Sequence, residues 1–425
     1  MRLLVVQAGW SGAELAREVN RLGGESGLRL GYQRASVHQW MAGVLPRGPV
    51  AELVAEALSR RLGRRVTARE TGLLPPVTAS EPAVPADAGD PYGAIALSVP
   101  YTLPTAGLLP PAATRTPPVP KVPRATQQHA VCVELMAAHF SRSDHLSGSG
   151  HLLEALNSFF RHAVRPWLDA PAAPAARRDL LGACAHLAYV GGYLHLDAGR
   201  HGAAQHWYRL AAGLAEEGGH TTTFTAALRA LSVQAHQLGH HAHALALAER
   251  SLAVAGTHTP PSPFLQGQLA LALAARRMPA QARAALSAAE HGLDRHSASP
   301  PGPVAVYHLA AFTHQRAEVR LLLDDASGAA ADLALSTRLR PADEPRTHAL
   351  VLAQLGEVHL ACGDLDRACD AWQRFLDSGA AISSRRLSDA HRTMRSLLRP
   401  HSAERRAADL LATAADWNRV PRPRT

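Results

Sequence analysis

The sequence predicts an all-α protein: a small helical bundle, a proline-rich connector and an array of repeated helical hairpins. Three observations carry that prediction. Apolar residues make up 47% of the 425-residue chain while aromatics are only 5%, so the cores must be built mostly from Ala, Leu and Val, and abundant Ala and Leu favour helix. Prolines are unevenly spread, with 13 of the 30 falling in residues 75–126. After that stretch, small residues recur in a nearly fixed frame along amphipathic segments.

The elements of residues 1–74 follow in order. Leu3, Leu4 and Val6 begin an apolar stripe that stops at Gly9. Ser11 and Glu14 have capping-box spacing, in which the hydroxyl accepts from the third helical amide and the carboxylate reaches back. Leu15, Ala16, Val19 and Leu22 recur at helical spacing, and Gly23 and Gly24 are expected to end that helix. A loop to about Tyr32 precedes a short third helix, Arg34 to Met41, with Gly43 suited to the left-handed position after it. Pro49 suits the first position of a fourth helix, whose buried face is Val50, Leu53, Val54, Ala57, Leu58 and Leu62, with Gly63 as its stop.

Residues 75–126 read as a semi-extended linker, because each proline removes a backbone donor and biases the residue before it toward extended geometry. The linker carries three basic and three acidic groups, while residues 1–74 carry 11 arginines against 6 glutamates. The whole chain has 44 Lys and Arg against 35 Asp and Glu, and Lys121 is its single lysine. Basic density thus peaks at the N-terminus, where an anionic partner is expected to bind.

From residue 127 to 384 the pattern is helical and repeats. The clearest unit has small residues at Gly356 and Ala368 and an aromatic at Trp372. Small side chains suit the point where paired helices cross, and the aromatic is expected to fill the gap to the next repeat. The same frame fits Gly192, Gly199, Ala204 and Tyr208; Ser232, Gly239, Ala244 and Ala248; Ala270, Ala282 and Leu286; and Ala317, Ala329 and Leu333. The first small positions lie 40, 38, 47 and 39 residues apart, longer than the ~34 of a strict tetratricopeptide unit. The excess is assigned to loops at 257–263 and 297–303. A curved, elongated solenoid is expected, with residues 385–425 as capping helices and tail. A generic Ala-rich bundle is the plain alternative.

The third helix decides the functional reading. Val37 and Trp40 point one way and would anchor it, leaving Gln33, Arg34, Ala35, Ser36, His38 and Gln39 around the rest. Arg, Gln and Ser are side chains that read base edges in a major groove, and a helix so placed is the helix-turn-helix solution. Arg47, the pair Arg60 and Arg61, and the pair Arg64 and Arg65 are the candidate phosphate contacts. Read blandly, the same arginines are only a solvated face.

The stretches AGWSGAELAREVN, YQRASVHQWMAG and LVAEALSRRLGRRVT resemble the actinobacterial branch of the XRE-type helix-turn-helix family. The resemblance puts Val37 at the family's buried aliphatic position and Arg34, Ala35, Ser36 and Gln39 at its base-reading positions. Residues 23–32 depart from the pattern, being longer than the usual ~3–4-residue turn. The segment FSRSDHLSGSGHLLEALNSFFRHAVRPWLD, residues 140–169, resembles one found after the linker in actinobacterial regulators that join an XRE-type domain to tetratricopeptide-like repeats. Some of those regulators act in differentiation and secondary metabolism in Streptomyces-like bacteria. The resemblance implies a transcriptional regulator that binds double-stranded DNA, with a peptide or protein effector in the repeat groove or a homodimer formed through it. The alternative is an interaction scaffold without DNA readout.

Other chemistry is thin. His236, His240, His241 and His243 cluster without a nearby carboxylate and read as a solvated surface group, with no metal expected. Cys132, Cys184, Cys362 and Cys369 lack zinc-finger spacing, and Cys362 and Cys369 read as small buried thiols. Asp324, Asp325, Asp364 and Asp366 fall at repeat turns and read as caps. No phosphate-binding glycine loop or nucleophile elbow is present, so neither enzyme activity nor a cofactor is expected. No apolar run reaches the ~18–20 residues of a bilayer crossing, and Glu14 comes too early for a secretory leader. A cytoplasmic protein is the expectation.

Overall fold

The computed structural model describes residues 1–25, 28–46, 50–62, 66, 68–73, 124–256, 262–296 and 307–417. Most of the expected linker, the loops 257–261 and 297–306, and Arg47, Pro49, Gly63, Arg64 and Arg65 therefore lie outside the described residues. The described residues are all-α, with one isolated bridge between Ala125 and Ala172 in place of any strand. None of their helices is long and apolar enough to cross a membrane.

The N-terminal bundle holds α1 (Arg2–Gln7), α2 (Gly12–Glu25), α3 (Arg34–Met41), α4 (Val50–Leu62) and α5 (Ala68–Thr71). Its core is its own: Leu15, Ala16, Val19 and Leu22 of α2 meet Val37 and Trp40 of α3 and Leu53, Val54 and Leu58 of α4. The capping box forms, with Ser11 N donating to Glu14 Oε2 at 2.7 Å and Glu14 N donating to Ser11 Oγ at 3.3 Å. Two expectations need correction. In α1 the buried face is Leu4 and Val5, while Leu3 is 80% and Val6 76% exposed. Six residues make too short a helix for a sequence stripe to fix its face. Gly23 and Gly24 do not end α2, which runs on to Glu25. Gly23 is instead a seat: a Cβ there would lie 2.3 Å from Leu30 Cδ1, so the loop before α3 packs where a side chain would otherwise stand.

After the linker come α6 (Gln127–Ser147), α7 (Leu153–Phe159) and α8 (Arg165–Asp169), with a π-helical turn Phe160–Val164 between the last two. Five antiparallel pairs follow: α9 (Pro174–Asp197) with α10 (His201–Gly218), α11 (Thr221–Gln237) with α12 (His241–Ala255), α13 (Pro263–Ala275) with α14 (Pro279–His296), α15 (Leu309–Leu322) with α16 (Ala326–Leu339), and α17 (Pro345–Ala361) with α18 (Leu365–Gly379). Then α19 (Arg385–Leu398) and α20 (Arg405–Asp416) pack on the last pair. Consecutive pairs stack in solenoid fashion.

All five sequence frames fall on helix pairs in one register. A Cβ on Gly192 would come within 2.4 Å of the Tyr208 ring, and one on Gly356 within 2.4 Å of the Trp372 indole. In the second pair Ser232 Oγ, at the same position, donates to Ala244 O at 2.7 Å. Seven residues after each small position the backbone turns through positive φ: Gly199 (72°), Gly239 (81°), Arg277 (59°), Asp324 (62°) and Gly363 (81°). The αL turn is thus a property of the repeat, kept even where the residue is not glycine. Asp325 and Asp364 cap the helices that follow, accepting from Gly328 N at 2.8 Å and Arg367 N at 3.0 Å. Asp366 instead pairs with Arg406 at 2.9 Å.

The array does not stay open. Buried Arg346 of α17 reaches back to the start of the superhelix, donating to Asp144 Oδ1 of α6 at 2.6 Å, with its Nε 3.6 Å from Asp197 Oδ1 of α9. Asp197 also accepts from Ser149 at 3.0 Å and from Ser384, the N-cap of α19, at 2.8 Å. Ser383 N donates to Ser147 O at 2.8 Å beside it. Arg346 is wholly buried, and Asp144 and Asp197 are buried almost as fully. The curved solenoid thus brings its last pair against its first helices.

Candidate nucleic-acid interface and the superhelical bore

Helix α3 is held from one side only. Val37 and Trp40 are buried at 0% and 5% exposure, and Trp40 meets Tyr32 edge-on with ring centroids 4.9 Å apart. The residue that leads into α3, Tyr32, is tied to α2 by one side-chain amide. Asn20 Nδ2 donates to Tyr32 O and Tyr32 N donates to Asn20 Oδ1, both at 2.8 Å. This clamp sets where α3 begins despite the long connection. It was missed in the sequence, where Asn20 reads as one more polar position on α2.

The opposite side of α3 carries the nominated readers. Gln33, Arg34, Ala35, His38 and Gln39 are exposed and Ser36 is half-buried. Ser36 Oγ accepts from Gln33 N at 3.3 Å, so this hydroxyl is already part of the helix cap. Helix α2 touches α10 of the superhelix, yet the outer residues of α3 stay accessible in the full chain.

The basic candidates behind α3 behave differently. Arg60 donates to Glu56 Oε1 at 2.6 Å, with side chains only 11% and 15% exposed. Arg61 donates to Ala8 O at 2.9 Å and stands 5.8 Å from the Trp10 ring. Arg60 thus pairs along α4 itself, while Arg61, still exposed, ties α4 to the end of α1. The i, i+4 spacing of Glu56 and Arg60 was the sequence signal for the first of these pairings.

The superhelix encloses a cavity of about 290 Å³. Its described lining comes from the first helix of each pair together with α6, α19 and the segments before α15 and α17. The repeat frame explains the choice. Residues three before the small position in three of the five pairs (Tyr189, Arg229, His314) and one after it in four (Tyr193, Val233, Leu271, Glu318) face inward. Positions four apart on a helix share a face, so the bore was readable from the frame once the inner helix was known.

Polar groups of the bore are partly satisfied by one another. Tyr307 donates to Gln315 at 2.6 Å, Gln315 to Gln268 at 3.2 Å, and Gln268 to Ser232 at 3.0 Å, a ladder across α15, α13 and α11. Arg340 donates to Glu344 at 2.8 Å. Desolvation by burial, outweighing hydrogen bonds and nearby charges, pushes His145, His236 and His314 below the usual histidine range.

His236 belongs to this lining, so it leaves the expected solvated cluster; the His236 and His241 rings are 5.3 Å apart. Among the described residues no three His, Cys, Asp or Glu are placed to hold a metal. All four cysteines are free. Cys369 is buried, but Cys362 is exposed at the end of α17, correcting the expectation of two buried thiols.

Residues 1–74 match the family described as the SP15 N-terminal domain. No curated protein matches the chain. Among solved structures, BtubC (BKLC) from P. vanneervenii is similar at 18% identity, over 59% of this chain and 91% of its own, with a TM-score of 0.35. A likeness that slight bears on no argument here.

Proposed function

We propose that this chain is a cytoplasmic, sequence-specific DNA-binding regulator of transcription. In this reading α3 enters the major groove, and the tetratricopeptide-like superhelix serves as an effector-binding or dimerisation module. One observation carries the reading: an eight-residue helix anchored by Val37 and Trp40 presents Arg34, His38 and Gln39 to solvent on its other side. Bidentate Arg and Gln contacts to guanine and adenine are the chemistry this face offers. The test is retention of duplex DNA by the full chain in a mobility-shift assay, using fragments of its own promoter region at low salt. Arg34→Ala and Gln39→Ala each remove ~1–3 kcal/mol of specific binding while leaving thermal stability unchanged. Retention that is absent, or indifferent to both substitutions, overturns the reading.

A second reading has its own support. Arg60 is largely buried in its pair with Glu56, which removes one nominated phosphate contact and favours an interaction scaffold without DNA readout. The two readings separate on the salt slope of DNA binding: several phosphate contacts give a steep one, a scaffold gives none.

A further inference from the structure

We infer that the bore of the superhelix is a binding site for a small aromatic carboxylate, held by Arg386 against a wall of tyrosines. This rests on the regulator reading only in supplying its effector; the binding itself requires no DNA.

Size favours a small molecule. The cavity of about 290 Å³ stands at the lower end of small-molecule pockets, ~300–1,000 Å³, and accommodates one or two fused rings.

The wall selects for rings. Tyr189, Tyr193 and Tyr307 face the cavity together with Phe264, whose ring meets Tyr307 edge-on at 5.7 Å. The Arg229 guanidinium lies 3.7 Å from the Phe264 ring centroid and donates to Phe264 O at 2.9 Å, so it is already spent on the wall. Tyrosines bring broad apolar area with a hydrogen-bonding tip, the mixture that an aromatic ligand with polar substituents needs.

Charge selects for an acid. Two of the three carboxylates lining the bore face a cation of the protein, Asp144 facing Arg346 and Glu344 facing Arg340, while Glu318 lies farther along α15. Burial holds His145, His236 and His314 below the usual histidine range, which favours their neutral forms. Arg386 is the cation left over. It lines the cavity from α19, half-buried, and forms no hydrogen bond or ion pair with any described residue. A planar guanidinium in a partly desolvated site takes a carboxylate in bidentate fashion.

The full chain is titrated calorimetrically with 1-naphthoate and with its neutral isostere 1-naphthamide. The expected result is saturable one-to-one binding of the acid, with the amide at least about tenfold weaker, as loss of one charge-assisted contact implies. Arg386→Gln brings the acid down to the level of the amide, and Arg386→Lys recovers part of the difference. Val233→Trp, which fills the bore from α11, abolishes both, while circular dichroism reports the fold. Equal affinity for acid and amide, indifference to Arg386→Gln, binding that survives Val233→Trp, or no binding of either compound overturns the inference. The mobility shift without naphthoate is scored separately. DNA retention without acid binding sinks this inference alone, and acid binding without DNA retention sinks the regulator reading alone.

Discussion

The two halves of the molecule spend their polar side chains in opposite directions. On α3 they point outward, where water satisfies Arg34, His38 and Gln39. In the superhelix they point inward, where a group must find a protein partner, lose its charge or wait for a ligand. The bundle accordingly needs only a small apolar core behind α3. The superhelix needs the Tyr307–Gln315–Gln268 ladder, neutral histidines and the buried Arg346 cluster. An exposed reading face is cheap in stability and an enclosed one is not, so substitutions in the two halves should separate cleanly.

The largest expected break in that comparison is at Arg346. Replacing it by Met leaves Asp144 and Asp197 buried without their cation, at a cost of about 3–5 kcal/mol. Calorimetry should show the transition of residues 127–417 moving down while DNA retention by the N-terminal bundle persists; an unmoved transition refutes the closing role.

Acid should also act on the superhelix first. His195 is buried, stacks on Trp207, and has both ring nitrogens without a hydrogen-bond partner. Desolvation lowers its pKa from 6.5 to about 3, and that of His201 to about 4. The unfolded chain therefore binds the proton more readily than the folded one. Stability from these groups is complete above pH ~6.5 and is lost as the pH falls toward their folded values, about 2 kcal/mol for His195 by pH 5. Chemical denaturation at pH 7.5 and pH 5 measures this, and His195→Phe should flatten the dependence.

Gly356→Ala comes next, because its Cβ would press on the Trp372 indole at 2.4 Å; overpacking of this kind costs about 1–3 kcal/mol. Gly192→Ala, against Tyr208, should match it. If both are silent in thermal melts, the close approach of the paired helices is wrong. The smallest effect sharpens the comparison within the repeats. Arg277 and Asp324 occupy the left-handed turn position that glycine fills in the other three pairs. Asp324→Gly should raise stability by about 0.5–1 kcal/mol, the relief of a non-glycine residue from that region less the added chain entropy. A fall in melting temperature would show that the exposed ion pair between Asp324 and Arg277, at 3.6 Å, outweighs the strain.

What was legible in the sequence was local. The frame from Gly192 to Gly356, the capping box at Ser11 and the buried Val37 and Trp40 all depend on neighbours within a turn or one hairpin, where periodicity speaks directly. The polar set on α3 was legible for the same reason. The closure was not, because Asp144 and Arg346 are 202 residues apart and nothing local marks an arginine as buried. Arg386 escaped notice likewise, since its role comes from standing opposite helices that precede it by most of the array. The seat at Gly23 reads as a helix stop in one dimension and as a packing surface only once Leu30 arrives over it.

A ring fastened by charge has a fixed count. Open arrays of hairpins gain or shed a copy without offence, because each new member needs only the neighbour beneath it. Here one duplicated hairpin would carry the guanidinium of Arg346 past its carboxylates and leave all three stranded in the dry interior. Change in this protein is therefore confined to the side chains of a set number of members, and the chamber they surround can be refitted but not lengthened.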